Sequence, residues 1–310
     1  MKTNDAADLN LVELAQKYSD EDKARELLES ILWPNGPVCA HCKSTRAYKL
    51  IPHVISKRSA RKGLYKCREC RKQFTVTVGT IFEDSHIKIG KWLMAIFLLC
   101  SSKKGMSAKQ LQRSLGMTYR SAWFMAHRIR YAMNAGPLAE LLKGIVEIDE
   151  TYVGGKTRGM GPAYKGNKTP VVSLVQRDGV KRSVVMERVT AKNIHAAVKA
   201  HVAAGEKIMT DESPLYTGLR TTFQKQSVCH GRGEYVRGEA HTNTVESSFA
   251  LLKRGVIGAF HHVSKTHLGR YLSEFDFRWN SRKTTDGERT VLAVAGFAGK
   301  RLKYRDSSEG

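Results

Sequence analysis

Apolar residues recur at helical spacing over residues 9–33, at Leu9, Leu11, Leu14 and Ala15 and again at Ala24, Leu27, Leu28, Ile31 and Leu32. Trp33-Pro-Asn-Gly-Pro37 closes that segment with turn residues. The next block carries only short alternating runs such as Gln73-Phe-Thr-Val-Thr-Val78, which predict strands. Helical spacing returns over about 87–134 and predicts three helices. The first holds the apolar run Trp92–Cys100 and ends near Ser101–Gly105. The second covers Ser107–Leu115, Gly116 makes a turn, and the third runs from Thr118 to about Met133.

From Gly144 the pattern changes. Ile145–Val153 reads as a strand, and Val171–Val175 and Ser183–Glu187 flank Arg177-Asp-Gly179, a hairpin signal. Thr190 to Val202 reads as a crossover helix with Thr190 as N-cap, and Lys207–Thr210 as the next strand. A helix, a short strand and a further helix follow. Three meandering strands, a crossover helix and a fourth strand are the order of an RNase H-like mixed sheet with flanking helices, an α/β fold.

Composition places this pattern in a globular chain, 41% hydrophobic, and charge narrows its partners. Lys and Arg number 52 against 29 Asp and Glu, a net charge of +23 spread along the chain. A diffuse positive field suits phosphate backbones, whose neutralisation releases condensed counterions. A ribosomal or generally basic protein would show the same surplus, so charge alone does not choose. The opening Met1–Asp8 is polar, without a secretory signal. Trp92–Cys100 is far short of the ~18 residues a membrane span needs. These features predict a cytoplasmic protein with no membrane partner.

Four of the six cysteines form two Cys-x-x-Cys pairs, Cys39/Cys42 and Cys67/Cys70, separated by 24 residues. Without an export signal this arrangement favours metal over disulfides. Four thiolates match a tetrahedral structural Zn2+ with no position open for substrate. A segment this short and polar draws much of its folding energy from the metal. Tyr48, Tyr65 and Phe74 are candidates to pack around the ion, and His41 and His53 are possible replacement ligands.

Residues 107–123 resemble a helix-turn-helix, with Leu111, Leu115, Ala122 and Met125 as its core. Thr118, Tyr119, Arg120 and Ser121 would then open the recognition helix, and Arg113, His127, Arg128 and Arg130 would contact phosphates. A plain three-helix bundle is the alternative.

Three acids fall where a metal-dependent phosphoryl-transfer site needs them. Asp149 lies in the first strand, Asp211 ends a later one, and Glu246 opens a helical segment with Lys253 seven residues on, along the same face. Clustered carboxylates repel unless a cation lies between them, and Mg2+ (or Mn2+) prefers oxygen ligands. Each acid has a competing reading. Glu147 and Glu150 flank Asp149 as candidate solvated strand charges, Glu147 on its face. Glu212 competes with Asp211, and Glu246 follows Asn243 at capping-box spacing.

Taken together, these residues resemble the DDE transposases of bacterial insertion sequences, in the group with an N-terminal zinc ribbon and an RNase H-like, integrase-type catalytic domain. Val146–Gly155 resembles that group's first-aspartate motif, His241–Phe249 with Leu252–Gly255 its third-acid motif, and Tyr271–Arg282 its C-terminal helix. The resemblance implies catalytic Mg2+ held by Asp149, Asp211 and Glu246, with Lys253 on phosphate and Asn243 as a contender for the third acid. It also implies double-stranded DNA as partner, both transposon ends and target, with strand cleavage and transfer at terminal inverted repeats. Handling two ends together implies a homo-oligomer on DNA. The expected domains are a helical segment (1–36), the ribbon (37–80), the helix-turn-helix-like block (81–138), the catalytic domain (139–300) and a frayed tail (301–310). A catalytically inactive DNA-binding regulator and an RNase H-like nuclease are the rival functions.

Overall fold

The computed structural model describes residues 9–51, 62–134, 140–155, 168–229, 234 and 236–308. The chain divides into two units, 1–134 with 282–310, and 135–281.

In the first unit the helical spacing over 9–33 resolves into two helices, α1 (Leu11–Lys17) and α2 (Glu21–Leu32). The break is chemical. Asn10 caps α1 at the Val12 and Glu13 amides, and Asp20 starts a new helix by accepting from the Asp22 and Lys23 amides. Three antiparallel strands follow, β1 (Ala47–Lys49), β2 (Tyr65–Cys67) and β3 (Gln73–Phe74). The strand expected over Gln73–Val78 stops at Phe74. The Thr80 hydroxyl donates to the Thr77 carbonyl and the Gly79 amide to Glu83, drawing the chain into turns.

The predicted helices are α3 (Ile89–Ser101), α4 (Ala108–Leu115) and α5 (Tyr119–Ala132). Ser107 caps α4, and Thr118 caps α5 at the Ser121 amide. Between them Gly116 sits at φ 56°, the left-handed conformation that glycine adopts without a Cβ clash. Gly90 is needed for a different reason: a Cβ there would lie 2.1 Å from the Tyr18 carbonyl oxygen. The α3 N-terminus has no side-chain cap of its own, and the Glu21 carboxylate accepts its Ile89 amide at 3.1 Å.

The C-terminal segment changes the expected domain limits. Helix α9 (Asp286–Ala295) packs on α2 and α3, and Arg289 donates to the Cys100 carbonyl at the end of α3. Residues 282–310 therefore belong with the N-terminal unit, although the sequence pattern assigned 139–300 to one domain. Leu302 is buried and Arg305–Ser308 forms a short helix, α10, so the tail is ordered further than expected.

The second unit is built on a five-stranded sheet: β4 (Ile145–Val153), β5 (Thr169–Gln176), β6 (Lys181–Val185), β7 (Lys207–Thr210) and β8 (Gln224–Ser227), in the order β6-β5-β4-β7-β8. The β4–β5 and β5–β6 pairs are antiparallel, whereas β4–β7 and β7–β8 are parallel. Helix α6 (Ala191–His201), capped by Thr190 as predicted, makes the crossover that parallel pairing requires. This is the RNase H-like mixed sheet.

Strand alternation assigns the two faces. Val146, Ile148, Val172 and Leu174 pack with Ile194 and Val198 of α6 and with Tyr216 and Leu219 of a 3-10 helix, Pro214–Thr221. On the other face lie α7 (Asn243–Gly255) and α8 (Lys265–Asn280). There Val175 meets Val245 and Phe249, and Val153 and Val171 meet Leu252, Leu268 and Phe275. Edge strand β6 is covered by α8. Asn280 accepts from the Lys181 amide and donates to its carbonyl, and Asp276 accepts from the Ser183 amide and hydroxyl. Side chains thus satisfy backbone groups that an open edge would offer to another strand.

Candidate functional site

In the ribbon, a turn ahead of β1 and the turn between β2 and β3 bring the cysteine pairs together. The Cys39 and Cys70 sulfurs are 3.7 Å apart and those of Cys42 and Cys67 3.6 Å. All four lie within 4.8 Å of one another. Sulfurs at the corners of a zinc tetrahedron with ~2.3 Å bonds are separated by about 3.8 Å, so the cage fits the ion. Its electrostatics agree. The Cys70 amide, outweighing burial, holds the Cys67 thiol down at about 7, while for Cys42 burial and the neighbouring sulfurs overcome the Ser44 amide and push it up to about 11. Four such sulfurs cannot ionise together without a cation.

Trp33, Tyr65 and Phe74 form the aromatic packing beside the cage. Tyr48 does not join them. It faces outward with Arg68 over its ring and lines a recess of about 540 Å³ with Lys66 and Arg71. His41 is exposed and lies 3.3 Å from the Gln73 carbonyl, so it is no ligand, and His53 falls outside the described residues.

In the helical block Leu111, Leu115, Ala122 and Met125 are buried as expected. Thr118, Tyr119 and Arg120 are exposed at the start of α5, with Lys109 over the Tyr119 ring and Arg120 over that of Tyr304. Arg113 is exposed too. The expectation for Arg128 is corrected: it is 5% exposed, donates to the Leu302 and Glu83 carbonyls, and packs over Phe124. Arg130, donating to the Met106 carbonyl, and His127 are also buried. These three side chains hold the first unit together and offer nothing to phosphate.

The acids occupy the second unit. Parallel pairing sets Glu147 of β4 level with Met209 of β7. The pairing ends there; Asp149 stands two residues further along β4, and Asp211 lies just beyond the end of β7. Helix α7 packs on the sheet with Glu246 in its first turn. Asp149 accepts from the Glu150 amide, Asp211 from the Ser213 amide, and Glu246 from the Thr242 hydroxyl.

Burial first, then the charges of Glu150, Asp211 and Glu246, raise the Asp149 carboxyl from 3.8 to about 7 against the pull of the Glu150 amide. The three acids thus share one electrostatic neighbourhood. They are not closed into a tight cluster: among the described residues the four cysteines are the one group of three or more ligand types meeting within 4.8 Å. Lys253 lies exposed on α7, two turns beyond Glu246.

Neighbours that competed for these roles have other work. Glu212 is exposed, whereas the charge of Asp211 reaches Asp149, Tyr216 and Lys225. Asn243 is the first residue of α7 and Thr242 its N-cap, with no capping box at Glu246. Neither glutamate beside Asp149 is a solvated strand charge. Glu150 is half-buried and accepts the Tyr216 hydroxyl, and Glu147 is fully buried. Sequence reasoning passed over Tyr216 and Lys225 altogether. The apolar spacing of Leu215 and Leu219 around Tyr216 was the available signal, but it does not reveal a carboxylate partner.

The chain matches the model of the ISXO2-like transposase domain over residues 141–280 and that of a transposase zinc-ribbon domain over residues 19–73. It is 30% identical over 280 residues to an uncharacterized protein in transposable element ISH50 of Halobacterium salinarum, covering 84% of this chain and 91% of that protein. Among solved structures, the Mos1 transposase paired-end complex with left transposon end aligns at TM-score 0.28 and 14% identity, over 66% of this chain and 75% of that one. The Mos1 strand transfer complex aligns at 0.28 and 15%, over 66% and 74%. Superpositions this loose transfer no residue roles.

Proposed function

The chain belongs to the ISXO2-like transposases that carry an N-terminal transposase zinc ribbon, and from that premise we propose that it cuts and joins DNA at the ends of an insertion sequence. The observation that carries this reading is the match to a transposase domain over residues 141–280, within which Asp149 of β4 feels the charges of Asp211 and Glu246. A folded chain keeps such like charges together at a functional site, where an opposite charge completes them.

The donor set fits a hard divalent cation: all oxygen, carried by a central strand, by the residue just past the end of a second strand and by the first turn of a helix. Asp149, Asp211 and Glu246 would hold Mg2+ or Mn2+. Bound there, the metal would activate the attacking oxygen and stabilise charge on the leaving one. Lys253 would meet the phosphodiester as a point charge. Tyr216 fixes Glu150, and Ser213 fixes Asp211, before substrate arrives.

Affinity for the terminal inverted repeats would come from the first unit. Tyr119, Arg120, Thr118 and Arg113 on the exposed face of α4 and α5 would contact the duplex, with the Tyr48–Arg68 face of the ribbon contributing phosphate contacts. Two ends handled together call for a homo-oligomer on DNA. Among the described residues no helix is long and apolar enough to cross a membrane, and the proposed workplace is the cytoplasmic nucleoid.

The test is cleavage of duplexes carrying the element's terminal repeats in Mg2+. Asp149→Asn, Asp211→Asn and Glu246→Gln should each lose strand cleavage by several orders of magnitude while binding ends normally. Retained activity in any one removes that residue from the site. Cleavage confined to RNA–DNA hybrids would overturn the transposition chemistry.

A further inference from the structure

Glu147 is buried in the second unit, two residues before Asp149 and on the same face of β4. Its Oε2 accepts the backbone amides of Thr244 at 2.8 Å and Val245 at 3.0 Å. Its Oε1 accepts the Thr244 hydroxyl at 2.9 Å and Arg177 Nε at 2.8 Å, and lies 3.2 Å from His241 Nδ1. Thr244 and Val245 belong to the first turn of α7, whose amides have no partner within the helix. The helix's own N-cap, Thr242, makes no side-chain capping bond; its hydroxyl donates to Glu246. The sheet therefore supplies the cap, and a carboxylate at that end is further favoured by the helix dipole. Arg177 completes the joint by donating to the His241 carbonyl just ahead of the helix.

One short path thus links two acids of the proposed site. It runs two residues back along β4 from Asp149, across the Glu147 carboxylate into the first turn of α7, and on to Glu246. We propose that Glu147 is a positioning residue, a sheet-borne cap that fixes the start of α7 and holds Glu246 in place relative to Asp149. This rests on the catalytic reading of Asp149 and Glu246 given above. Glu147 itself would touch neither metal nor DNA, since its oxygens already accept four hydrogen bonds from the chain. A shorter side chain cannot span the gap, and glutamine keeps one acceptor oxygen for the amides but loses the charge that Arg177 and the helix end meet.

The experiment uses full-length Glu147→Ala and Glu147→Gln beside Asp149→Asn. It reads amide hydrogen exchange at Thr244 and Val245, single-turnover cleavage at saturating DNA, and affinity for terminal duplex. In Glu147→Ala those two amides should exchange at least tenfold faster while β5 stays protected. Its cleavage rate should fall at least tenfold with end affinity unchanged, and Glu147→Gln should fall between alanine and wild type in both readings. A general loss of stability would instead speed exchange across the sheet and leave the rate of the folded fraction intact, which overturns the proposal. Unchanged exchange at Thr244 and Val245, or a wild-type rate in Glu147→Ala while Asp149→Asn is dead, also overturns it. Normal cleavage by Asp149→Asn would bring down the catalytic reading itself, and the exchange data would still show whether Glu147 caps the helix. If Glu147→Ala does not fold, the same readings on Glu147→Gln decide.

Discussion

Replacing Asp149 by asparagine should make the metal-free protein more stable while ending its activity. The carboxyl rises from 3.8 to about 7 on folding, chiefly through burial. At ~1.36 kcal/mol per tenfold change in proton affinity, that rise corresponds to an upper bound of about 4 kcal/mol. Asp149 keeps partial solvent access, and screening reduces the expected figure to about 2 kcal/mol. The sign follows from proton uptake. Between pH 4 and 7 the folded protein holds a proton that the unfolded chain has released, so stability falls as pH rises through that window. Asparagine has no such proton. Variant and wild type should therefore differ little in this term at pH 3.5, separate from pH 4 to 7, and stay about 2 kcal/mol apart at pH 8. The assay is global hydrogen exchange of the β4 and β5 amides in the presence of a chelator, which reports the second unit alone. Magnesium should then reverse the order, stabilising wild type by about 2.7 kcal/mol at a hundredfold excess over Kd and the variant far less. Equal or lower stability of Asp149→Asn at pH 8 in chelator would show that burying the Asp149 charge carries no cost, and equal stabilisation of both by Mg2+ would remove Asp149 from the metal site.

Chelating zinc should release the four ribbon thiols and weaken binding to terminal duplex; cysteines that stay unreactive to alkylation after chelation would count against a metal cage. Arg128→Ala should cost about 2–4 kcal/mol in thermal or urea unfolding, since it leaves the Leu302 and Glu83 carbonyls without their donor. Arg113→Ala should leave stability within about 0.5 kcal/mol and lower the salt dependence of DNA binding by about one phosphate contact. Asp276→Ala should destabilise the second unit by about 3–5 kcal/mol, because it strands the buried Lys181 ammonium. Replacing both, as Lys181→Met with Asp276→Leu, should recover much of that loss in the same unfolding assay, and no recovery would show that the hydrogen bonds to Ser183 dominate.

What the sequence made legible was local or strongly patterned. Alternation placed Asp149 on a strand, the Thr190 cap marked the crossover helix, and two Cys-x-x-Cys pairs marked the metal cage. These signals survive because each depends on near neighbours along the chain. What stayed hidden depends on distant partners. Glu147 looks like any charged strand residue until a helix start 97 residues away turns its amides toward it. Arg128 looks like a phosphate contact until the segment around Leu302 folds over it, 174 residues further on. The same return of the C-terminus moved 282–300 out of the expected catalytic domain. The break between α1 and α2 is local: the polar stretch between Ala15 and Ala24 contains Asp20, the cap that starts α2.

In the proposed site Asp149, Asp211 and Glu246 would converge on divalent metal beside DNA. Crystals of the protein with terminal duplex grown in Mn2+ test it directly through anomalous scattering. Manganese peaks are expected within bonding distance of oxygens from all three side chains. Manganese held elsewhere, or by Glu150 without Asp211 and Glu246, would contradict it.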